Sequence, residues 1–317
     1  MLSSIEPVCP PELLHKAADL PSVGTAIVNA GNRLAMESAL LATEANLIRP
    51  IFVGNRADIA SIAKDLNWPI DKFRIVPADT ETLAANAAVA LARGSEVNAL
   101  MKGHIHTDTL MRAVVDRTNG IRTRRRPSHV FHMSVPHRHA SICITDAVIN
   151  VLPTVKAKLD IARNAADLLH ALGHACPNIA VLSATETPNA SMPSSVSAQE
   201  VAERATAGAV TGANVAGPLS FDMAVSAAAA KVKGFTGPMS GNADVLLVPN
   251  IEAGNFLFKQ MVYYMGATAA GIVLGARVPI MLTSRADPPV ARVAAAALAA
   301  IFSSSDKSRT KTQSSNN

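Results

Sequence analysis

Several polar stretches of the sequence carry residues that could do chemistry. Residues Gly237–Lys259 read GPMSGNADVLLVPNIEAGNFLFK, a glycine-punctuated loop, an apolar run at Val245–Val248, a second loop and the start of a helix. A short β-branched run of this kind is typical of a strand buried on both faces of a parallel sheet. The turn Pro249–Asn255 follows its carboxyl end, where unpaired helix amides bind anions. The stretch therefore predicts a cradle for an anionic ligand, or else an ordinary Asn- and Gly-rich helix cap.

A second stretch repeats this order of strand end, polar loop and helix. Lys102 and Gly103 follow an apolar run, and Thr107 is the expected N-cap of a helix that carries Arg112. A lysine beside free backbone amides is a common way to hold phosphate. A solvated loop charge would produce the same pattern, so both interpretations stay open at this point.

Two further groups of charged side chains are less specific. Residues 119–127 read NGIRTRRRP, and their four arginines fit a solvated loop, a bidentate phosphate site or a nucleic-acid contact. Six of the nine histidines lie between His104 and His139. Metal binding needs three or four convergent donors and supporting hydrogen bonds, and no other pattern indicates them. We therefore expect no metal, and we interpret these histidines as loop residues.

The composition limits the class of partner. The chain has 317 residues, a formal charge of +5, a sequence pI of about 9.3 and only eleven aromatic residues. Proteins that bind single-stranded nucleic acid interleave basic residues with aromatic stacking platforms, which this chain lacks. The mild positive charge favours anionic small molecules, so we expect no nucleic-acid partner.

The cysteines and the apolar segments bear on the compartment. Cys9, Cys143 and Cys176 lie far apart and form no Cys-x-x-Cys pair, which argues against a disulfide framework and a structural zinc site. The first residues have neither the basic start nor the apolar run of a signal peptide. The most apolar region, residues 265–282, is interrupted by Arg277 and Pro279 and fits two buried strands better than a membrane span. We expect a cytoplasmic protein with no membrane partner.

Around the candidate residues, short apolar runs alternate with helices of ten to fifteen residues. This alternation predicts an α/β fold of mostly parallel sheet flanked by helices. A pair of strands at 130–135 and 141–145 predicts an antiparallel hairpin. We place domain I at residues 1–137 and 276–303, domain II at 138–275, and a disordered polar tail at 304–317.

Taken together, three stretches resemble the phosphate acetyltransferase and phosphate butyryltransferase family over roughly residues 10 to 303. They are LMKG followed by HTDTLMRAVV and GIRTRRRPSHV, then GPLSFDMAVS with GPMSGNADVLLVPNIEAGNFLFK, and finally VPIMLTSRAD. Each stretch alone is weak evidence for this family, but the three together are specific to it. The LMKG and SRAD forms look closer to the butyryltransferase branch.

The resemblance implies an activity and an architecture. It implies two domains related to isocitrate and isopropylmalate dehydrogenases, an active site in the cleft between the domains, and a homodimer. The implied reaction is reversible transfer of a short acyl group, acetyl to butyryl, between coenzyme A and inorganic phosphate. It implies a ternary complex with direct thiol attack, coenzyme A as a substrate and neither a covalent acyl-enzyme nor an obligatory metal or other cofactor.

The resemblance also assigns roles to individual residues. Arg285 matches the family's phosphate-binding arginine, and Ser284 beside it is expected at the carbonyl or the thiol. Lys102, Thr107 and Arg112 are expected to help hold phosphate. The residues expected to contact the acyl group or coenzyme A are Gly241, Asn242, Gly254, Asn255 and Lys259.

The chain departs from the acetyltransferase branch where that branch has its proposed catalytic aspartate. Residues 288–291 read PPVA and include no acid, so Asp287 is the nearest carboxylate. An ordinary Asp and an ordinary thiol differ in pKa by about 4.6, so a complete proton transfer costs about 6 kcal/mol. Arg285 would lower the pKa of Asp287 further. We therefore expect Asp287 to orient groups rather than to act as a strong base, or else to serve as the N-cap of a helix with Pro288 at its first position.

Two other functions fit parts of the sequence. A metal- and NAD-dependent hydroxyacid dehydrogenase of the same fold would need convergent acidic ligands, and Asp146, Asp222 and Asp244 are scattered. A non-catalytic protein that binds acyl-CoA or acyl phosphate would explain the missing acid.

Overall fold

The structure is a computed structural model that describes residues 3, 5–136, 140–283 and 287–314, with side chains of the last helix described to residue 305. The helices are Pro11–Ala18 (α1), Arg33–Glu44 (α2), Arg56–Asp65 (α3), Glu81–Arg93 (α4), Thr107–Val114 (α5), Val155–Ala171 (α6), Pro193–Arg204 (α7), Phe221–Val225 (α8), Ala227–Val232 (α9), Ile251–Met265 (α10) and Pro289–Ser314 (α11). The strands are Val23–Val28 (β1), Ile48–Gly54 (β2), Ile75–Pro77 (β3), Ala99–Lys102 (β4), Ser128–Ser134 (β5), Ile142–Thr145 (β6), Asn178–Leu182 (β7), Asn214–Leu219 (β8), Val245–Leu247 (β9), Thr268–Leu274 (β10) and Ile280–Met281 (β11).

The chain folds into two compact units. The first unit contains Pro7–Arg125 and the chain from Ala270 onward, and the second contains Arg126–Ala269 and the N-terminal residues up to Glu6. The domain limits predicted from the sequence fall elsewhere, after residues 137 and 275. The predicted division stays a prediction.

The first unit is built on strands in the order β3-β2-β1-β4-β11-β10. All neighbouring pairs are parallel except β10 and β11, which run antiparallel. Helix α11 packs against α1 and α2, and its residues Ala294–Ala300 are all buried. Small side chains therefore let this helix pack closely on its neighbours, as the alanine-rich composition predicts.

The second unit has strands in the order β5-β6-β9-β7-β8, parallel except for β5 and β6. The antiparallel β5–β6 pair confirms the predicted hairpin, although residues 137–139 of its turn lie outside the described residues. Phe131 of β5 stacks on Phe258 of α10 with ring centroids 4.1 Å apart. This contact joins the helix to the core of the unit.

The mostly parallel α/β fold is thus confirmed, while some elements differ from their predictions. Strand β8, which contains Gly217 and Pro218, was missed because this sequence resembles a loop, and its place at the edge of the sheet tolerates a proline. Helix α11 continues to Ser314, whereas the sequence predicted a disordered tail from residue 304. None of the helices in the described part of the chain has the length and apolar character that a membrane span requires.

Candidate functional site

The carboxyl ends of three neighbouring strands meet at one edge of the first unit's sheet. Val28 of β1 lies opposite Lys102 of β4, and Met281 of β11 lies opposite Met101, so that Leu282 follows beside Lys102. Each strand then leads into a helix: α2, α5 and α11. In parallel α/β sheets ligands bind at this edge, and this is the candidate functional site.

Lys102 ends β4 with its side chain only 6% exposed. The backbone beside it is fixed, because Gly103 donates its N–H to Val28 at 3.0 Å and His104 donates to Asn29 at 3.0 Å. Asn29 holds a left-handed φ of 56° and donates its side-chain amide back to the carbonyl oxygen of His104. A buried ammonium beside an ordered polar loop is suited to an anion.

The start of α5 differs from its prediction. The N-cap position is His106, not Thr107, and Thr107 is the first helical residue. The His106 side chain makes no capping bond. Its Nδ1 atom and its backbone N–H instead contact the Glu81 carboxylate, at 2.9 Å and 3.1 Å. Burial raises the pKa of Glu81, but the hydrogen bonds from His106 outweigh this and leave the pKa below its usual value.

Arg112 lies on the outer face of α5 and its side chain is 83% exposed, with Asp108 3.8 Å away. It lines a groove of about 460 Å³ between α4 and α5, together with Asn86, Arg93 and Asn119. The structure therefore brings Lys102 to the strand edge and places Arg112 in this groove. The expectation that Arg112 holds phosphate stays a prediction.

The segment after β11 carries the other predicted catalytic residues. Ser284 and Arg285 lie outside the described residues. Asp287 is described and half-buried, and α11 begins at Pro289 rather than at Pro288 as the capping interpretation requires. The role of Asp287 in catalysis stays a prediction.

Arg292, in the first turns of α11, was not singled out from the sequence. It is only 7% exposed. Burial lowers the pKa of its guanidinium, and the negative charge of Asp287 partly offsets this effect. A buried arginine close to Asp287 stabilises the ionised carboxylate, which favours an orienting role over proton abstraction.

In the second unit the predicted cradle is divided by its own strand. Gly241 and Asn242 precede β9 and lie at its amino end, whereas Gly254 and Asn255 follow at its carboxyl end. The Asn242 carbonyl oxygen accepts a hydrogen bond from the Asn178 side chain at 3.0 Å. The structure therefore does not bring these two pairs of residues together. Their contacts with coenzyme A stay predictions.

Helix α10 also begins earlier than the sequence suggested. Its first residue is Ile251, and Asn250 caps it by accepting from Ala253 N–H at 2.9 Å. Gly254 lies inside the helix, where a Cβ would come within 2.8 Å of Ala147 and Val248. Close packing of the helix on the residues that follow β6 and β9 therefore explains this glycine without a ligand. Asn255 is half-buried, and Lys259 is exposed on the outer face.

Two polar clusters of the second unit have partners inside the protein. Arg126 donates its Nε to Asn150 and its backbone N–H to Asp160 at 3.1 Å. This member of the arginine run therefore has a structural contact. Lys233 donates to Glu186 at 2.8 Å and to Ser220 at 3.0 Å, and it pairs with Asp222. Hydrogen bonds from Ser220 and Lys233 lower the pKa of Asp222 to about 2.

The part of the chain that the structure describes contains no candidate metal site. Among its residues, no three His, Cys, Asp or Glu side chains are arranged to hold an ion.

Comparison with known proteins gives consistent matches. The family described as phosphate acetyl/butaryl transferase matches residues 79–300. A phosphate acetyltransferase of Rickettsia prowazekii (strain Madrid E) is 44% identical over 298 residues, which are 94% of this chain and 85% of that protein. A phosphate butyryltransferase of Clostridium beijerinckii is 34% identical over 296 residues, 93% of this chain and 98% of that protein.

Solved structures agree with this result. A branched-chain phosphotransacylase from Enterococcus faecalis V583 superposes with a TM-score of 0.77 at 29% identity, covering 89% of this chain and 99% of that chain. The sequence identities do not favour the butyryltransferase branch, which was expected from the LMKG and SRAD forms. The dehydrogenase and the non-catalytic binding protein considered above are not favoured either.

Proposed function

Because the chain belongs to the phosphate acetyl/butyryl transferase family, we propose that the carboxyl edge of β1, β4 and β11 holds the phosphate group during catalysis. The protein is an enzyme that transfers an acyl group reversibly between coenzyme A and inorganic phosphate. The observation that carries the placement is the buried Lys102 beside Leu282, where β4 and β11 end together.

The chemistry at this edge follows from the charges that the reaction moves. The coenzyme A sulfur attacks the carbonyl carbon of the acyl phosphate, so that a C–S bond forms and the C–O bond to phosphate breaks. The thiol proton passes to the departing phosphate, which leaves as hydrogen phosphate and carries the negative charge. Lys102 and the Thr107 N–H at the start of α5 offset this charge, together with Arg285 from the family motif. Charge offset of this kind needs no metal in the chemical step.

Asp287 is assigned an orienting role in this proposal. The positive charge of Arg292 beside it stabilises its ionised form. A carboxylate stabilised in this way is a weak base toward a thiol, so Asp287 is assigned to orient neighbouring groups rather than to remove the proton. Attack by the thiol then occurs in one ternary complex, with proton loss concerted with attack.

The remaining parts of the proposal concern the protein as a whole. We assign it a homodimeric form and a cytoplasmic location, and we assign it acyl-CoA and inorganic phosphate as small-molecule partners. The homodimer rests on the family resemblance. The cytoplasmic location rests on the wide spacing of Cys9, Cys143 and Cys176.

A thiol-release assay tests the function. Acetyl-, propionyl- and butyryl-CoA are each incubated with the enzyme, with and without phosphate, and the free thiol is measured. We expect phosphate-dependent release with at least one of the three. Absence of phosphate-dependent release with all three would contradict the assignment.

Lys102→Ala tests the placement of phosphate within that assay. Loss of a charged hydrogen-bond donor should raise KM for phosphate about ten- to a hundredfold. Lys64→Ala removes an exposed lysine of α3 and is the matched control. Equal phosphate KM values for Lys102→Ala and the control would rule out this phosphate site.

A further inference from the structure

His106 ends the short loop that joins β4 to α5, at the same edge of the sheet as Lys102. The N–H groups of Gly103 and His104 donate to the chain at the end of β1, both at 3.0 Å, so the backbone of this loop is fixed. The His106 side chain is 63% exposed. An imidazole therefore lies open to a substrate beside the proposed phosphate site.

The Glu81 carboxylate at the start of α4 holds the His106 ring. Its two oxygens lie 2.9 Å and 3.0 Å from Nδ1 of the ring, and one of them also accepts the His106 backbone N–H at 3.1 Å. A ring tied at Nδ1 to a carboxylate that also binds its backbone has little freedom to turn. Glu81 therefore sets the direction in which the other ring nitrogen, Nε2, points.

The same contact decides which ring nitrogen carries the hydrogen in the neutral imidazole. Glu81 is ionised at neutral pH, since its pKa lies below the usual value, and an ionised carboxylate only accepts hydrogen bonds. Nδ1 of His106 therefore carries the hydrogen, which leaves a lone pair on Nε2. Nε2 is thus the nitrogen that accepts a proton.

We propose that His106 carries the thiol proton during acyl transfer, with Glu81 as the residue that positions its ring. Nε2 takes the proton from the coenzyme A sulfur as the C–S bond forms. The imidazolium then gives this proton to the phosphate oxygen as the C–O bond to phosphate breaks, and the ring is neutral again. The Glu81 carboxylate stabilises the positive charge of the ring between the two transfers.

A histidine suits this step better than an aspartate such as Asp287. An ordinary imidazole and an ordinary thiol differ in pKa by about 2, so proton transfer between them costs about 3 kcal/mol. The corresponding cost for an ordinary aspartate is about 6 kcal/mol. Proton transfer through His106 therefore fits a chain that has no acid at residues 288–291, and it agrees with the orienting role of Asp287.

The charged groups around His106 bear on its pH dependence. Lys102 and His104 lie in the same loop, Asp108 lies in the first turn of α5, and Glu81 faces the ring from α4. Of these groups, Glu81 is the one in contact with the ring. The charge of His104 also acts on the Glu81 carboxylate. His104 is therefore the residue to be compared with His106.

This inference rests on the proposed function and adds a catalytic residue to it. The two fail in different measurements. Absence of phosphate-dependent thiol release in the unmodified enzyme contradicts the proposed function, whereas an unchanged kcat in a His106 variant contradicts the role of His106 alone. The phosphate site is tested through KM in Lys102→Ala, and the proton transfer is tested through kcat.

His106→Gln tests the proton transfer in the direction from acyl phosphate and coenzyme A to acyl-CoA. Glutamine keeps a polar side chain at this position but carries no proton between the reactants. We expect kcat to fall about a hundredfold or more, with both KM values within about threefold of those of the unmodified enzyme. His104→Gln removes an exposed imidazole from the same loop and is the matched control. Equal kcat values for the two variants would overturn the inference.

The pH profile separates a proton carrier from a structural residue. In the unmodified enzyme kcat should fall as the pH is lowered through the range in which an imidazole takes up a proton, because a protonated ring accepts no further proton. His106→Gln should lose this fall, whereas His104→Gln should keep it. Titration of the substrates is common to all three enzymes and cancels in the comparison. The same fall in His106→Gln would rule out His106 as the proton carrier.

Chemical rescue gives a further test, which a purely structural role would not pass. His106→Ala leaves space where the ring was, and imidazole added to the solution supplies the missing base. We expect imidazole to raise kcat of His106→Ala at least about tenfold and to leave His104→Ala and the unmodified enzyme unchanged. No rise in His106→Ala, or a rise of the same size in His104→Ala, would contradict the proposed proton transfer.

Discussion

At the scale of single residues, Gly103 sits where the loop after β4 passes closest to β1. A Cβ at this position would lie 2.4 Å from the carbonyl oxygen of Val28 and 2.7 Å from that of Asn29. These oxygens accept the hydrogen bonds that fix the loop beside Lys102. A side chain at Gly103 would therefore move the backbone of the proposed phosphate site.

Gly103→Ala should consequently impair both folding and catalysis. We expect a loss of about 1–3 kcal/mol in the free energy of unfolding from overpacking, and about a ten- to hundredfold fall in kcat/KM for phosphate. Urea unfolding and thiol release measure the two effects. Gly24→Ala is the control, because Gly24 lies in the neighbouring strand β1 and its Cβ would meet nothing closer than 3.7 Å. Similar values of kcat/KM for phosphate in both variants would show that the backbone at Gly103 does not support the proposed phosphate site.

The role of a single residue can be predicted from the sequence when it depends only on the residues next to it in the chain. Thr80 caps α4 by accepting a hydrogen bond from the Leu83 N–H, and a threonine before a helix needs only the next three residues to form such a bond. Arg292 could not be found in this way. Its importance comes from burial and from the charge of Asp287, and one arginine in an alanine-rich helix shows neither.

At the scale of elements, α6 and α7 are joined by a buried cation. Lys158 of α6 is buried and donates its Nζ to Ser197 Oγ of α7 at 2.7 Å. Burial lowers its pKa from 10.5 to about 8. Below pH 8 the charged amine is buried at a cost, and between pH 8 and 10.5 the unfolded chain binds more protons than the folded chain. Stability from this group therefore rises with pH across that window.

For Lys158 we predict that the free energy of unfolding rises more steeply with pH in the unmodified protein than in a variant without the amine. The free energy of unfolding of the unmodified protein should gain roughly 1–3 kcal/mol between pH 8 and 10 relative to Lys158→Met, which has no amine to titrate. Urea unfolding at several pH values measures both proteins. Subtracting the two curves removes the titration of other groups, such as Cys9, whose pKa burial raises to about 11. Parallel curves would show that Lys158 keeps its ordinary pKa.

Elements were predicted well wherever apolar periodicity was regular, and less well around β9. The sequence presents Gly237–Lys259 as one stretch, but β9 separates Gly241 from Gly254 by the length of a strand. Both glycines are explained by close packing. A Cβ at Gly241 would meet Ala227 N at 2.0 Å, and one at Gly254 would meet Ala147. Such contacts come from distant parts of the chain, so no local pattern distinguishes them from ligand contacts.

At the scale of the whole molecule, α/β alternation predicted the fold class because every βαβ step repeats the same local pattern. The limits of the two units were harder to predict. The observed limits follow Arg125 and Ala269, and nothing in the composition changes sharply at either position. They depend on which strands pair in space, and the sequence alone does not show this pairing.

The net charge gives a prediction for the whole enzyme. A formal charge of +5 attracts anionic acyl-CoA and phosphate over distances comparable to the screening length of the solution. Added NaCl should therefore lower kcat/KM for acyl-CoA several-fold between about 0.05 and 0.5 M, because encounter is screened. It should change kcat much less, since buried charges such as Lys102 are screened less. An uncharged osmolyte at equal osmolality is the control and should leave both values nearly unchanged. A kcat that falls as steeply as kcat/KM would show that salt acts on the bound complex, and long-range attraction would not explain the effect.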